Sequence, residues 1–446
     1  VLEMDPRADN HGRSEEPGAG GVAVLEDTDG DGRMDKRTTF ATGLIAPCGI
    51  LLVGDGVVVL DPPHFWFLRD RDGDSVSDER TKIAVDNTEL PDPAIGLNGL
   101  VLAIDNWIYS AASTVCVRHV GAGNFIAERT SRRAGRSITQ DETGRLYYGG
   151  DGNMLYLDPI SPAYLWRNPG YRAGGTGVPV PVGKPPGGAG GIPKFSSGRS
   201  ESEPAMSAGG AIIYRSKRFG SELEGNVFVT EPDAGRVGRS PLPEAEDEVP
   251  GRPVRPAIEV LHSTDPHFRP VSLAQGPDAA LYMVDRYGGG PGGDTRRVAA
   301  DVPNRTENAE TDVSRRGRIW RVVPDTSRVN VRRVLKTASV ADLVEALGDD
   351  NGWRRDTAQR ILIEKGDPAA TPIVREYAVR GQAPLGRLHA LWTLDGLNAF
   401  DRDAGMGSHR DPGWDRAVRS EGTGRPPACR ERGCRTKAVA GAGRQP

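Results

Sequence analysis

Asp27-Thr28-Asp29-Gly30-Asp31-Gly32-Arg33-Met34-Asp35 recurs in kind as Asp70-Arg71-Asp72-Gly73-Asp74-Ser75-Val76-Ser77-Asp78, 43 residues further on. Each copy sets carboxylates at the first, third, fifth and ninth positions of a tight loop. One short turn can then aim several hard oxygens at a single calcium ion. The candidate ligands are Asp27, Asp29, Asp31 and Asp35 in the first loop and Asp70, Asp72, Asp74 and Asp78 in the second. At the twelfth position, where an EF-hand has a bidentate Glu, stand Thr38 and Thr81, and the sixth-position glycine is present only in the first loop. Fewer charges imply weak binding, and the plain alternative is a pair of solvated Asp/Gly turns.

The spacing decides the fold. Val22-Ala23-Val24-Leu25-Glu26 precedes one loop and His64-Phe65-Trp66-Phe67-Leu68 the other. Apolar runs of this length bounded by turn residues read as strands, and several strands per forty-odd residues is the signature of a β-propeller. Hairpins of the same design occur at Gly49–Leu60, Gly99–Ser110, Ser137–Tyr148 and Val271–Asp285, with a looser one from Gly210 to Glu231. Asp/Gly dipeptides between β-formers mark their turns. With a severed strand at Val1–Met4, they predict a mainly β, six-bladed propeller over residues 1–325. Residues 172–204, dense in Gly, Pro and Ser, and 286–317 read as long excursions, the kind of loop that often carries function. Gly317–Val323 is the closing strand.

The period changes at Ser339. Ser339 with Asp342 forms an N-terminal capping pattern, and Val340, Leu343, Val344 and Leu347 share one helical face. Helices through Trp353–Leu362, Ile373–Tyr377 and Leu385–Trp392 complete a short HEAT-like segment at 337–400, which offers a surface for a protein partner. From Asp401 to Pro446 the periodicity dissolves into an Arg/Gly/Pro-rich tail, expected to be disordered or aberrant.

Composition narrows the function classes. A net charge of −4 over 446 residues, with dispersed arginines, argues against a nucleic-acid face. No apolar stretch of about eighteen residues exists, so no membrane span is expected. Cys48, Cys116, Cys429 and Cys434 make no disulfide framework, and Cys429-x4-Cys434 is not a haem attachment motif. The opening on Val1-Leu2-Glu3-Met4, without a signal peptide, is expected of a fragment lacking its upstream part.

Leu25–Gly32, Leu102-Ala103-Ile104-Asp105-Asn106-Trp107-Ile108-Tyr109, Arg167-Asn168-Pro169 and Phe268-Arg269-Pro270-Val271 together resemble large secreted bacterial proteins of the membrane-bound dehydrogenase domain family. These are similar in turn to the soluble glucose/sorbosone dehydrogenases, six-bladed propellers that use pyrroloquinoline quinone and calcium. The resemblance implies an extracytoplasmic protein, a sugar or polyol substrate, and Arg167 and Asn168 at the quinone. It departs at Pro91-Asp92-Pro93-Ala94, where a catalytic His would stand. Among the remaining histidines, Asp265-Pro266-His267-Phe268-Arg269 gathers acid, imidazole and guanidinium before an inner strand. Asp265, His267 and Arg269 are therefore the candidate catalytic group, with a structural Asp–Arg turn as the plain alternative. The rival to an enzyme is a non-catalytic propeller that binds carbohydrate or a protein partner.

Overall fold

The computed structural model describes residues 1–3, 20–31, 33–86, 99–111, 113–130, 133, 135–150, 153–158, 180–181, 209–242, 258–265, 267–287, 317–324 and 334–400. Arg167, Asn168, the Pro91–Ala94 segment, most of both excursions and the tail from Asp401 lie outside them.

Six antiparallel sheets occur among the described residues, each a meander whose neighbouring strands are consecutive in the chain. The first holds β1 (Leu2–Glu3), β2 (Gly20–Glu26) and β3 (Lys36–Leu44). The second holds β4 (Gly49–Val53), β5 (Gly56–Asp61), β6 (His64–Arg69) and β7 (Glu79–Val85). β8 (Leu100–Leu102), β9 (Ile108–Ser110), β10 (Val115–His119) and β11 (Phe125–Arg129) form the third. β12 (Gly135–Gln140), β13 (Leu146–Gly150), β14 (Asn153–Leu157) and β15 (Val180–Pro181) form the fourth. The fifth is β16 (Ala211–Ile213), β17 (Asn226–Glu231), β18 (Arg236–Pro241) and β19 (Ile258–His262), and the sixth is β20 (Pro270–Gln275), β21 (Leu281–Asp285) and β22 (Arg318–Val322). Four helices follow: α1 (Val340–Ala346), α2 (Gly352–Lys365), α3 (Ala370–Arg380) and α4 (Pro384–Gly396). The fold class expected from the sequence holds: mainly β, in sheets of propeller-blade type, with helices after them.

The chain packs as two compact units, one ending at Arg136 and carrying the first three sheets, the other running from Ser137 with the last three sheets and the helices. In the first unit the run Val57-Val58-Val59-Leu60 is buried without interruption. Strand side chains alternate faces, so a continuous apolar run requires cover on both. Val57 and Val59 pack with Val22, Phe40 and Leu44 of the first sheet. Val58 and Leu60 face the other way, into a core with Ile108, Val117 and Phe125 of the third. The second unit repeats the arrangement: Val227 and Val229 of β17 pack with Tyr147, Leu155 and Leu157, while Phe228 joins Leu273, Leu281 and Met283. The two-residue Gly54-Asp55 turn joins β4 to β5, with Gly54 at φ 58°, a conformation that costs a glycine nothing.

The helices have their own core of Leu343, Val344, Leu347, Ala358, Leu362, Val374, Ala378, Leu391 and Leu394. The capping box is present: the backbone N–H of Asp342 donates to Ser339 Oγ at 3.2 Å, and that of Ser339 donates to Asp342 Oδ2 at 3.3 Å. Asn351 caps α2 and ties it to the sixth sheet at the same time. Its Oδ1 accepts from Trp353 N (3.0 Å) and Gln275 Nε2 (2.6 Å), and its Nδ2 donates to the carbonyls of Gly276 and Pro277 at 3.2 and 3.1 Å. Replacing it removes a cap and strands buried partners. Asn351→Ala is expected to lower unfolding free energy by about 2–4 kcal/mol, against about 1 kcal/mol for Ser339→Ala at the exposed box. Urea unfolding of the second unit checks the difference; equal losses would mean that Asn351 is only a helix cap.

Candidate metal loops and the end of the sixth sheet

The two acidic loops occupy the same place in their sheets, between β2 and β3 and between β6 and β7. Their hydrogen bonds repeat residue for residue. Gly30 N donates to Asp27 Oδ1 at 2.7 Å and Gly73 N to Asp70 Oδ1 at 2.6 Å. Asp31 N and Asp74 N donate to Asp29 Oδ1 and Asp72 Oδ1 at 3.1 and 3.2 Å, and Arg33 N and Val76 N to Asp31 Oδ1 and Asp74 Oδ1 at 2.7 Å each. Thr28 N and Arg71 N close the loops on Asp35 and Asp78 at 3.1 and 2.8 Å. The skeleton is encoded by Asp side chains that bind the backbone two or three residues on, the habit that makes Asp a turn former.

Carboxylate oxygens of Asp27, Asp29 and Asp31 lie within 4.8 Å of one another, as do those of Asp70, Asp72 and Asp78. Asp35 and Asp74 stand outside these triads. The Thr28 hydroxyl donates to Asp35 at 2.7 Å and, with the Thr28 N–H, holds its carboxyl below the usual range. All-oxygen donors suit a hard cation such as calcium rather than zinc. No acidic ligand stands at the twelfth position: Thr38 lies on β3, and Thr81 lies on β7, where its hydroxyl donates to Glu79 at 3.2 Å. Glu79 itself is engaged by Arg69 (3.0 Å) and Arg71 (2.5 Å). At the sixth position of the second loop Ser75 takes φ 68°, the left-handed region that the missing glycine would fill without strain. The second loop is also tied to the neighbouring sheet: Ser77 N donates to Phe40 O at 2.7 Å, and Arg80 Nη1 to Gly43 O at 3.2 Å.

The other candidate group lies where β20 begins, β21 ends and β22 begins. The His267 N–H donates to Asp265 Oδ1 at 2.9 Å, which holds that carboxyl below its ordinary range, and the imidazole Nδ1 sits 3.5 Å from the same oxygen. Both side chains are substantially exposed. Arg318 reaches Asp265 at 3.2 Å and lies over the Tyr287 ring at 3.6 Å, with His267 on that ring as well, centroids 5.6 Å apart. Arg269 is buried instead: its N–H donates to Asp285 at 2.8 Å, and its Nη1 to Phe268 O at 2.8 Å. The sequence pattern thus brings Asp265 and His267 together and sends Arg269 into the core.

No pattern in the sequence marks Asp285, the last residue of the Val271–Asp285 hairpin, yet it organises this end. Fully buried, it accepts from the N–H groups of Arg269 and Tyr287 and from Trp320 Nε1, with Arg318 Nε at 3.3 Å. The helices approach the opposite end of the same sheet, at Gln275, Gly276 and Pro277. No described helix is long and apolar enough to cross a membrane.

No protein among the curated set matches this chain. Solved structures similar to it include a luciferin-regenerating enzyme, 12% identical with a TM-score of 0.38 over 65% of this chain and 81% of that one. A glucose dehydrogenase is 13% identical with a TM-score of 0.37, over 64% of this chain and 92% of that one. Regucalcin, a calcium-binding protein from Agrobacterium tumefaciens str. C58, is 14% identical with a TM-score of 0.32, over 60% of this chain and 75% of that one. The family described as Domain of unknown function (DUF7133) matches residues 1–326, well over half of the chain, and the protein belongs to that family.

Proposed function

We propose that this protein is a calcium-binding propeller, its six sheets serving as six blades, that takes a carbohydrate or polyol at the strand ends of the sixth sheet opposite the helices. The observation that carries the reading is the duplicated acidic loop, whose carboxylate-to-backbone bonds recur at one constant offset. Calcium there is structural: each loop joins the last two strands of its sheet, and a bound ion would brace that outer hairpin. Weak binding, on the order of 10⁻⁴–10⁻³ M, fits a module in an extracytoplasmic, calcium-rich setting. An extracytoplasmic location also accords with the resemblance of the sequence to the membrane-bound dehydrogenase domains and the glucose/sorbosone dehydrogenases. No haem site is part of the proposal.

The exposed His267–Asp265 pair favours a second reading, oxidation of a sugar or polyol hydroxyl. There His267, oriented by Asp265, takes the hydroxyl proton, and Tyr287 and Trp320 offer aromatic surface to a sugar ring. Bound pyrroloquinoline quinone would accept the hydride, and the residues assigned to hold it, Arg167 and Asn168, lie outside the described part of the chain. A protein partner on the HEAT-like helices is a further proposal, restricted to the faces that α2 leaves free of the sheets.

Calcium is expected to raise the melting midpoint in a concentration-dependent way, with chelator reversing the rise. Asp70→Asn combined with Asp72→Asn should weaken the response at least tenfold; an unchanged titration would reduce the second loop to a turn. Without calcium, Ser75→Gly should add about 1 kcal/mol by relieving the left-handed backbone. For the second reading, dye reduction is measured over a sugar panel with the quinone and calcium added. Turnover lost on His267→Ala supports it, and no turnover with any sugar removes it.

A further inference from the structure

The inner turns of the last three sheets converge on α2 through charge. Arg215, which follows β16, is buried and forms an ion pair with Asp356, with Glu142 of the β12–β13 turn 3.8 Å away. Glu142 is also paired with Arg355, whose Nη1 donates to Asp349 O at 2.7 Å. Gln140 reaches Asp356 at 3.5 Å, and Gln275 bonds Arg215 through both its side-chain oxygen and nitrogen, at 3.0 and 3.3 Å. Gly352 N donates to Arg215 O at 2.7 Å, an approach so close that a Cβ on Gly352 would stand 2.7 Å from the Arg215 Cβ.

Behind this joint sits His389 of α4, with no exposed surface. Its Nδ1 lies 2.7 Å from Gln359 Oε1, a contact that requires a proton on Nδ1 and leaves Nε2 as an acceptor. Nε2 faces Asp356 Oδ1 at 3.9 Å. Both atoms are buried, and neither has a hydrogen-bond partner among the described residues. The two acceptors face each other with no donor between them, and the charges around them oppose adding a proton there. Arg355 of α2 and Arg215 of the sheet bear on His389, and the anions of the joint, Asp356 and Glu142, are engaged by those same guanidiniums.

We propose that His389 is an acid-sensitive latch, and that a solvent proton taken onto Nε2 opens the joint between α2–α4 and the inner turns of the sheets. The proton would add a third cation to a cluster of two buried guanidiniums and two half-buried carboxylates. Opening hydrates it and frees Asp356 to accept from the imidazolium. Burial first, then Arg355 and Arg215, hold the imidazole well below its ordinary value. The open form, with His389 in water, therefore binds more protons. The closed form is favoured above about pH 6.5 and loses ground as pH falls below it.

Hydrogen exchange of the full chain, corrected for intrinsic rates and compared at about pH 7.5 and about pH 5.5, tests this. The opening equilibrium of α2 and α4 should rise about tenfold at the lower pH. Strands β5 and β17, which carry no histidine, serve as internal references. His389→Asn, which can still donate to Gln359, should abolish the pH response of the helices. Gln359→Glu, which stabilises the imidazolium, should shrink it and guards against a His389 variant that fails to fold. Helix protection independent of pH in the native chain, or a response surviving in both variants, would overturn the latch.

Discussion

Burial on both faces is the constraint from which the architecture follows. A strand such as β5 or β17 cannot leave either face in water without exposing a row of valines, so the second and fifth sheets are each sandwiched between two others. Within each unit, sheets that follow one another in the chain meet that demand by stacking in order. Function is thereby pushed to the strand ends, where turns and connections emerge. The acidic loops, the Asp265–His267 pair and the ionic joint all sit at such ends.

The elements were legible because their signals are local. Gly54-Asp55 and Asp105-Asn106 interrupt runs of β-formers, with Asn106 in the left-handed conformation its side chain tolerates, and the Ser339–Asp342 box announces α1. The acidic loops were legible for the same reason, since every bond in them spans a few residues. The rest of the candidate groups was not. Arg318 and Tyr287 join Asp265 only across the sheet, and nothing local distinguishes Asp285 from any strand-ending Asp. The joint at α2 is more remote still: Glu142 and Arg355, or Arg215 and Asp356, are brought together from far apart in the chain by the stacking of sheets.

That joint also changes what the helical segment is. An amphipathic stack read from sequence suggests an appendage held by apolar contact. Here its second helix is fixed by buried guanidiniums and carboxamides, whose attraction is directional and whose loss leaves uncompensated charge. Such contacts specify one seating of the helices over the inner turns, where a greasy interface would accept several. The capping residue Asn351 belongs to both structures, so one side chain sets the start of α2 and its docking.

The bond from Ser77 to Phe40 gives the second acidic loop a role beyond its own hairpin. Because the loop's tail holds the outer strand of the preceding sheet, it acts as a strut against sliding of one sheet past the other. Stiffening it would be transmitted as mechanical resistance through β3. Among the described residues, the backbone of the first loop, on that sheet's own outer hairpin, makes no bond of this kind to another sheet, so the two near-identical turns bear different loads.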